Sequence, residues 1–219
     1  METAMLGRGT AKTAGRLAGA AVADRIQLPP PREHDGPPLA LALARRRSVR
    51  EFSARELSLT EVGQLLWAAQ GVTDRATGLR AAPSAGALYP LELDAVIHAG
   101  VFRYQPESHG LVRRGDEDVR PALSRAALGQ DPVAAAPCVF SIAAVPARTT
   151  RKYGARGVRY VHIEAGHAAQ NILLAAGALG LGAVPVGAFD DDAVAQVLQL
   201  ARGEEPLYLI AVGPARGRA

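Results

Sequence analysis

Cysteine is nearly absent: the 219-residue chain has one, Cys138. A single thiol excludes an internal disulfide and any structural metal site assembled from cysteines. Its place in an apolar run makes a buried core residue in a reducing compartment the expectation. Aromatic residues make up 5% of the chain, too few to serve as the stacking platforms of a nucleic-acid groove. Formal net charge is +4, but 21 acidic residues are interspersed with the basic ones, so a local anion site is expected and nucleic acid is not. No apolar run reaches the length of a membrane-spanning helix. The short apolar stretch at residues 17–23, behind Arg8, Lys12 and Arg16, lacks the apolar core of a signal peptide. A cytoplasmic protein without membrane partners is the expectation.

Several catalytic signatures are missing as well. No GxSxG elbow surrounds Ser84 and no phosphate-cradling GxxxxGK occurs. Gly177, Gly180 and Gly182 close a helical stretch instead of joining a strand to a helix, so they form no dinucleotide fingerprint. His162 and His167 of HIEAGH are five residues apart, about 140° around a helix, and do not share the face a metal pair needs. No metal site is expected. Lysine is the scarce cation: Lys12 and Lys152 stand against 23 arginines. Lys152, beside Tyr153, is either a chance survivor in a surface loop or an ammonium whose proton can leave, which a guanidinium cannot supply.

What is present starts at residues 44–52, ARRRSVREF, where Arg45, Arg46, Arg47 and Arg50 crowd around Ser48. Guanidinium forks meet phosphate oxygens two at a time, so the cluster suits a phosphate; the alternative is a solvated, solubilising face. The 48% hydrophobic content supports one sizeable core. Residues 1–28 are expected to be an N-terminal extension, mobile or weakly helical, and residues 29–219 a single domain.

Ser58 and Glu61 read as a capping box opening a helix at residues 57–71, with Leu57 and Val62 as its hydrophobic staple. The period of residues 91–98 predicts a half-buried strand, with Leu91, Leu93, Ala95 and Ile97 inward and Glu92, Asp94 and His98 outward. A meander through residues 102–112 follows, then a helix at 116–128. The continuous apolar run 137–145 predicts a strand buried on both faces. Residues 148–157, RTTRKYGARG, are expected as an irregular loop before a long helix at 158–179. A short strand at 184–187, a helix at 190–200 and a last strand at 206–212 complete an α+β pattern.

Five motifs in order, RRSVREFS, PSAGALYPLE, RKYGARGVRYVHIEAGHAAQN, VGAFDD and EEPLYLIAVG, together resemble the SagB-type dehydrogenase branch of the nitroreductase-like FMN-dependent proteins. That branch includes the oxidases that turn azolines in peptides into thiazoles and oxazoles. The resemblance covers roughly residues 29–213. It implies a central, mostly antiparallel sheet flanked by helices, in a domain-swapped-type homodimer with FMN at the interface. It further implies that Arg46 pairs with the FMN phosphate, that Arg47 and Ser48 support the ribityl end, and that Arg50 approaches the N1/C2 carbonyl edge. Pro83, Ser84 and Ala85 match the turn laid against the flavin ring by the neighbouring subunit. Pro185, Val186, Gly187 and Ala188 match the segment over the other face, and Arg216 or Arg218 adds a phosphate contact.

By the same resemblance Lys152 and Tyr153 correspond to a catalytic Lys-Tyr pair, which an irregular loop would have to bring together. Val158 stands where relatives often have an aromatic residue, and Ala87 where ordinary nitroreductases tend to have Asn. The implied activity is an FMN-dependent dehydrogenase acting on a small or peptide-derived substrate, azoline to azole among the options. An NAD(P)H-dependent nitro or quinone reductase and a non-catalytic flavin-binding module are the alternatives. A separate cyclodehydratase is the implied partner if the substrate is an azoline.

Overall fold

A computed structural model describes residues 24–34 and 36–217. In chain order its first elements are β1 (Arg25–Gln27), α1 (Leu39–Arg45), α2 (Leu59–Gln70), β2 (Val72–Asp74), β3 (Leu79–Arg80), β4 (Leu91–Ile97), β5 (Gly100–Gln105) and β6 (Gly110–Gly115). Then come α3 (Arg120–Ala126), α4 (Asp131–Ala135), β7 (Cys138–Ala144), α5 (Ala147–Tyr153), α6 (Arg156–Ala178), β8 (Gly182–Val186), α7 (Asp191–Val197) and β9 (Glu205–Gly213). Seven strands form one sheet in the order β1-β6-β5-β4-β7-β9-β8, every pairing antiparallel, and β2 and β3 make a separate hairpin. This is the expected α+β arrangement. Of the segment expected as an extension, residues 1–23 lie outside the described residues, while Arg25–Gln27 pairs with β6 at the sheet edge.

The apolar run became the middle of the sheet. All seven residues of β7 are buried between β4 and β9. Its Cys138, Phe140, Ile142 and Ala144 join the core under α2 and α6, with Leu65, Leu66 and Ile172. Val139 points the other way, to a second core with Leu123, Val133 and Val194 of α3, α4 and α7. Period-two alternation therefore serves two hydrophobic layers at once. Each large side chain so buried stabilises the fold by about 1.5–3 kcal/mol.

The capping box holds as expected: Glu61 N donates to Ser58 Oγ at 3.2 Å and Ser58 N to Glu61 Oε2 at 2.8 Å. Leu57 and Val62 are both buried beside it. Three expectations need correction. β4 is not half-buried, since Asp94 is wholly inaccessible: Arg103 donates Nε to its Oδ1 at 2.7 Å and Nη2 to its Oδ2 at 3.0 Å. The same guanidinium reaches Glu92 at 2.9 Å and Glu204 at 3.0 Å, and Arg114 approaches Asp94 at 3.2 Å. Charge pairing thus lets an acidic strand position go inside.

The helix expected from residue 116 begins at Arg120. Proline is accepted in a first helical turn and not further in, so Pro121 fixes the start. Residues 148–157 are no irregular loop: residues up to Tyr153 continue α5, and the break is Gly154, whose φ of 57° and ψ of −147° only glycine adopts readily. Among the described residues no helix is long and apolar enough to cross a membrane.

Candidate functional site

The arginine segment leaves α1 and is pinned to the edge of β8. Val49 N donates to Ala183 O at 2.9 Å, and Ser48 bridges Ala183 in parallel. The pinning depends on Gly182, because a Cβ there would lie 2.6 Å from Val49 Cγ1 and 2.8 Å from Val49 Cβ. Behind the segment a cavity of about 220 Å³ is lined by Arg45, Arg46, Arg47, Gly177, Gly180 and Gly182. A side chain at Gly177 or Gly180 would meet nothing within 4 Å, so the glycines leave this space open.

Arg46 is half-buried, while Arg45, Arg47 and Arg50 are exposed. Arg47 Nη1 donates to the carbonyls of Ala44 at 3.3 Å and Arg46 at 2.7 Å. Among the described residues none of the four arginines has a carboxylate partner. The cavity opens at the C-terminal end of α6, whose dipole favours cations and offsets part of their mutual repulsion. An oxyanion held by two or more guanidiniums is the ligand this chemistry suits.

The second group is built on the turn at residues 83–85. The chain there enters a 3-10 turn at Ala85–Ala87, with Gly86 at φ 65°. Ser84 Oγ accepts from Tyr89 N at 2.9 Å and closes the loop. Lys152 and Tyr153, at the last turn of α5, bring their tips to it. A Cβ on Gly86 would lie 2.8 Å from Tyr153 Oη and 2.9 Å from Lys152 Nζ. Neighbouring helix residues diverge by about 100°, yet both side chains are long enough to converge on one point. Tyr153 is fixed by an edge-to-face contact with Tyr160, ring centroids 5.2 Å apart. An ammonium and a phenol thus meet over a glycine, partly open to solvent.

A second cavity, about 410 Å³, is lined by His162, Ala165, Gly166, Gly187, Phe189, Asp191 and Tyr208. Pro185 and Val186 lie in β8, and Gly187 and Ala188 follow it, both exposed. Helix α6 carries all three places: Leu173 and Gly177 at the arginines, Ala165 and Gly166 at Gly187, and Glu164 toward Ser84. The structure therefore brings Arg46, Arg47 and Ser48 together at β8, and Lys152 and Tyr153 together with the 83–85 turn. Arg216 follows β9 and its N–H bonds Glu51 O at 3.0 Å, next to the arginine segment; Arg218 lies outside the described residues.

One residue escaped the sequence reading. Glu164 is 2% exposed and accepts from Gln70 Nε2 at 3.2 Å. Burial pushes its pKa up to about 7, against the opposing hydrogen bonds of Ser84 and Gln70 and the charge of Arg80. The signal was in the chain: Val161, Glu164, Ala168 and Ile172 form one helical stripe, a carboxylate among apolar neighbours. His162 and His167 are exposed, and no group of three or more metal-binding side chains is gathered among the described residues.

The nitroreductase family model matches residues 43–214. Over 177 residues the chain is 50% identical to a protein named as a nitroreductase in Methanocaldococcus jannaschii, covering 78% of this chain and 88% of the relative. A crystal structure named as a nitroreductase from Ralstonia eutropha superposes with a TM-score of 0.83 at 30% identity, over 92% of this chain and 94% of that one. A chain of the E. coli microcin synthetase McbBCD complex, solved with truncated pro-MccB17 bound, matches with a TM-score of 0.70 at 25% identity. That match covers 78% of this chain and 70% of that chain.

Proposed function

This chain belongs to the nitroreductase family, and on that premise we propose that it is an FMN-dependent oxidoreductase of the SagB-type dehydrogenase branch. The bound FMN would supply an acceptor for a substrate hydride, to be reoxidised by a second acceptor. The observation that carries the reading is an open cavity lined by arginines without carboxylate partners among the described residues, together with the meeting of Lys152 and Tyr153 over Gly86. Arg46 would hold the phosphate, aided by Arg47 and Ser48, and Arg50 would offer a cation to the pyrimidine edge of the ring. Backbone at Gly187 and Ala188, with Pro83, Ser84 and Ala85 of a second copy, would enclose the ring. Lys152 or Tyr153 removes the substrate proton as the hydride leaves.

The two clusters complete one another in a homodimer. Leu39 and Leu43 of α1 are 66% and 52% exposed, and Val158 and Ile163 of α6 are 45% and 49% exposed, apolar surface of the kind a second copy covers. The likeness to a microcin synthetase chain supports a modified peptide as substrate, azoline to azole, with a separate cyclodehydratase as partner. The cytoplasm is the compartment this reading assigns.

Purified protein is expected to be yellow, and Arg46→Ala to lose or weaken its FMN absorption. A colourless protein that takes up no added FMN refutes the proposal. Gly182→Ala tests the framework: the new methyl pushes Val49 off β8 and displaces the arginines. Flavin affinity should fall about tenfold or more, with a stability cost of roughly 1–3 kcal/mol from overpacking. Equal FMN titrations for variant and parent would separate the phosphate contacts from this segment.

The name of the 50%-identical relative favours a second reading, an NAD(P)H-driven nitro or quinone reductase. Anaerobic bleaching of the flavin by NADPH at a catalytic rate would establish it, and no bleaching favours the dehydrogenase.

A further inference from the structure

We propose that the exposed cations flanking Lys152 and Tyr153 form a docking surface for an acidic peptide, whose carboxylates would seat a peptide-borne substrate at that pair. That the docked peptide is the substrate rests on the reading of Lys152 and Tyr153 as the reacting groups; that it docks does not.

The charge is one-sided along the chain. From residue 132 to residue 163 there is no Asp or Glu, and the second half of that stretch holds Arg148, Arg151, Lys152, Arg156 and Arg159. The fold then gathers them. Gly154, at φ 57° and ψ −147°, turns the chain between α5 and α6. A Cβ at Gly157 would lie 2.9 Å from both Thr150 N and Thr150 Cα, so the first turn of α6 seats directly on the backbone of α5. Arg151 and Lys152 end α5, Arg156 and Arg159 begin α6, and all four are exposed. Of the five cations only Arg148 has a carboxylate partner among the described residues, Glu92, and it also donates to Tyr89 O at 3.1 Å.

This placement works against the fold itself. Arg156 and Arg159 are three apart on one helix, a spacing at which like charges repel. They also stand at the start of a 23-residue helix, where the dipole opposes cations and no acidic residue in the first turn relieves them. A solvated face ordinarily mixes the two signs. Negative charge arriving from outside would relieve all four cations at once.

The shape selects the partner. Arg151, Lys152, Arg156 and Arg159 line none of the cavities of about 210, 220, 410 and 540 Å³, so they do not converge on a compact phosphate as Arg45, Arg46 and Arg47 can. An array spread over two helices suits several carboxylates spaced along an extended chain. A nucleic-acid strand would need free ring faces on which to stack its bases. Tyr153 and Tyr160 are the rings here, and both are engaged. They meet edge to face at 5.2 Å, Lys152 Nζ lies 5.4 Å over Tyr153, and the Arg156 guanidinium lies 5.9 Å over Tyr160.

Fluorescence anisotropy on the full-length protein, without flavin, is the test. The probe is a labelled peptide of alternating Glu and Gly, with Gln-Gly and Lys-Gly peptides of the same label as controls. The acidic probe is expected to bind, more weakly as salt rises, and the controls are not. Arg151→Glu combined with Arg159→Glu should weaken binding by about tenfold or more, because reversal turns attraction into repulsion at two positions. Arg125→Glu, exposed on α3 across the sheet from α6, should leave the affinity unchanged. No binding, or binding that the double reversal leaves intact, overturns the proposal. Displacement of the peptide by lower concentrations of single-stranded DNA, NADPH or anionic lipid vesicles overturns it as well. So does a shift of the double variant from dimer to monomer on sizing, since the arginines would then serve the second copy. Gln at the same two positions keeps the decision open if the reversed variant does not fold. If the acidic peptide binds while no FMN is taken up, the functional reading fails and the docking surface stands.

Discussion

Replacing Arg103 by alanine is expected to lower folding stability by about 3 kcal/mol, the lower end of what breaking a buried ion pair costs. Arg103 is the hub of the acidic cluster beneath the sheet, touching Asp94, Glu92 and Glu204 with five hydrogen bonds of 2.7–3.1 Å. Asp94 has no access to water, so removal of the guanidinium leaves it with Arg114 at 3.2 Å as its remaining charge partner. Arg148 still serves Glu92, and Arg114 still lies 3.8 Å from Glu204, which is why the loss stays at the low end. For a chain of this length the melting temperature should drop by roughly 6–12 °C.

The pH dependence separates charge from packing. Burial raises the Glu204 pKa, but the hydrogen bond and charge of Arg103 outweigh it and hold the carboxyl below its ordinary range. A depressed folded-state pKa contributes stability above the unfolded value and loses it as pH falls through the folded value. The penalty of Arg103→Ala is therefore full at pH 7 and shrinks below about pH 4. Chemical denaturation at pH 7 and pH 3 measures it. An equal penalty at both would assign the effect to the lost side-chain volume.

Lys152→Ala and Tyr153→Phe are each expected to reduce turnover by about 10²- to 10⁴-fold, the usual contribution of a placed acid or base, with FMN affinity unchanged. Both side chains reach the space over Gly86 from the end of a helix and hold no buried structural bond: Lys152 is exposed and Tyr153 half-exposed. Stability should consequently move little. Gly86→Ala offers an independent check, since its methyl would occupy the point 2.8 Å from Tyr153 Oη and 2.9 Å from Lys152 Nζ. Those tips are flexible and can yield, so the fold should lose only the roughly 1–2 kcal/mol of placing alanine at positive φ. Turnover should fall nearly as far as in Lys152→Ala. A flavin-binding module without catalysis predicts that all three variants behave as the parent.

The arginine segment and the Lys-Tyr pair were legible as residues, but their settings were not. Nothing in ARRRSVREF tells that Val49 sits against Gly182, 133 residues away in the chain, or that Gly177 and Gly180 leave open the cavity behind Arg46. The turn with Gly86 and the end of α5 gave no local sign of meeting. An expectation of irregular backbone at Lys152 was reasonable because adjacent side chains diverge; side-chain length solved the geometry within a regular helix instead.

What the sequence alone determined are the features written in nearest neighbours and short periods. The box at Ser58 and Glu61 starts α2, the stop at Gly71 ends it, and the apolar run makes β7 central. These follow from local hydrogen bonding and from water rejecting a continuous apolar strand. Only the tertiary structure decided that Asp94 goes inside, that Glu164 faces Ser84, and that α6 links three clusters. The reason is physical: whether a charge is buried depends on what arrives from distant parts of the chain to cover and pair it. No spacing along α6 or β4 encodes those arrivals.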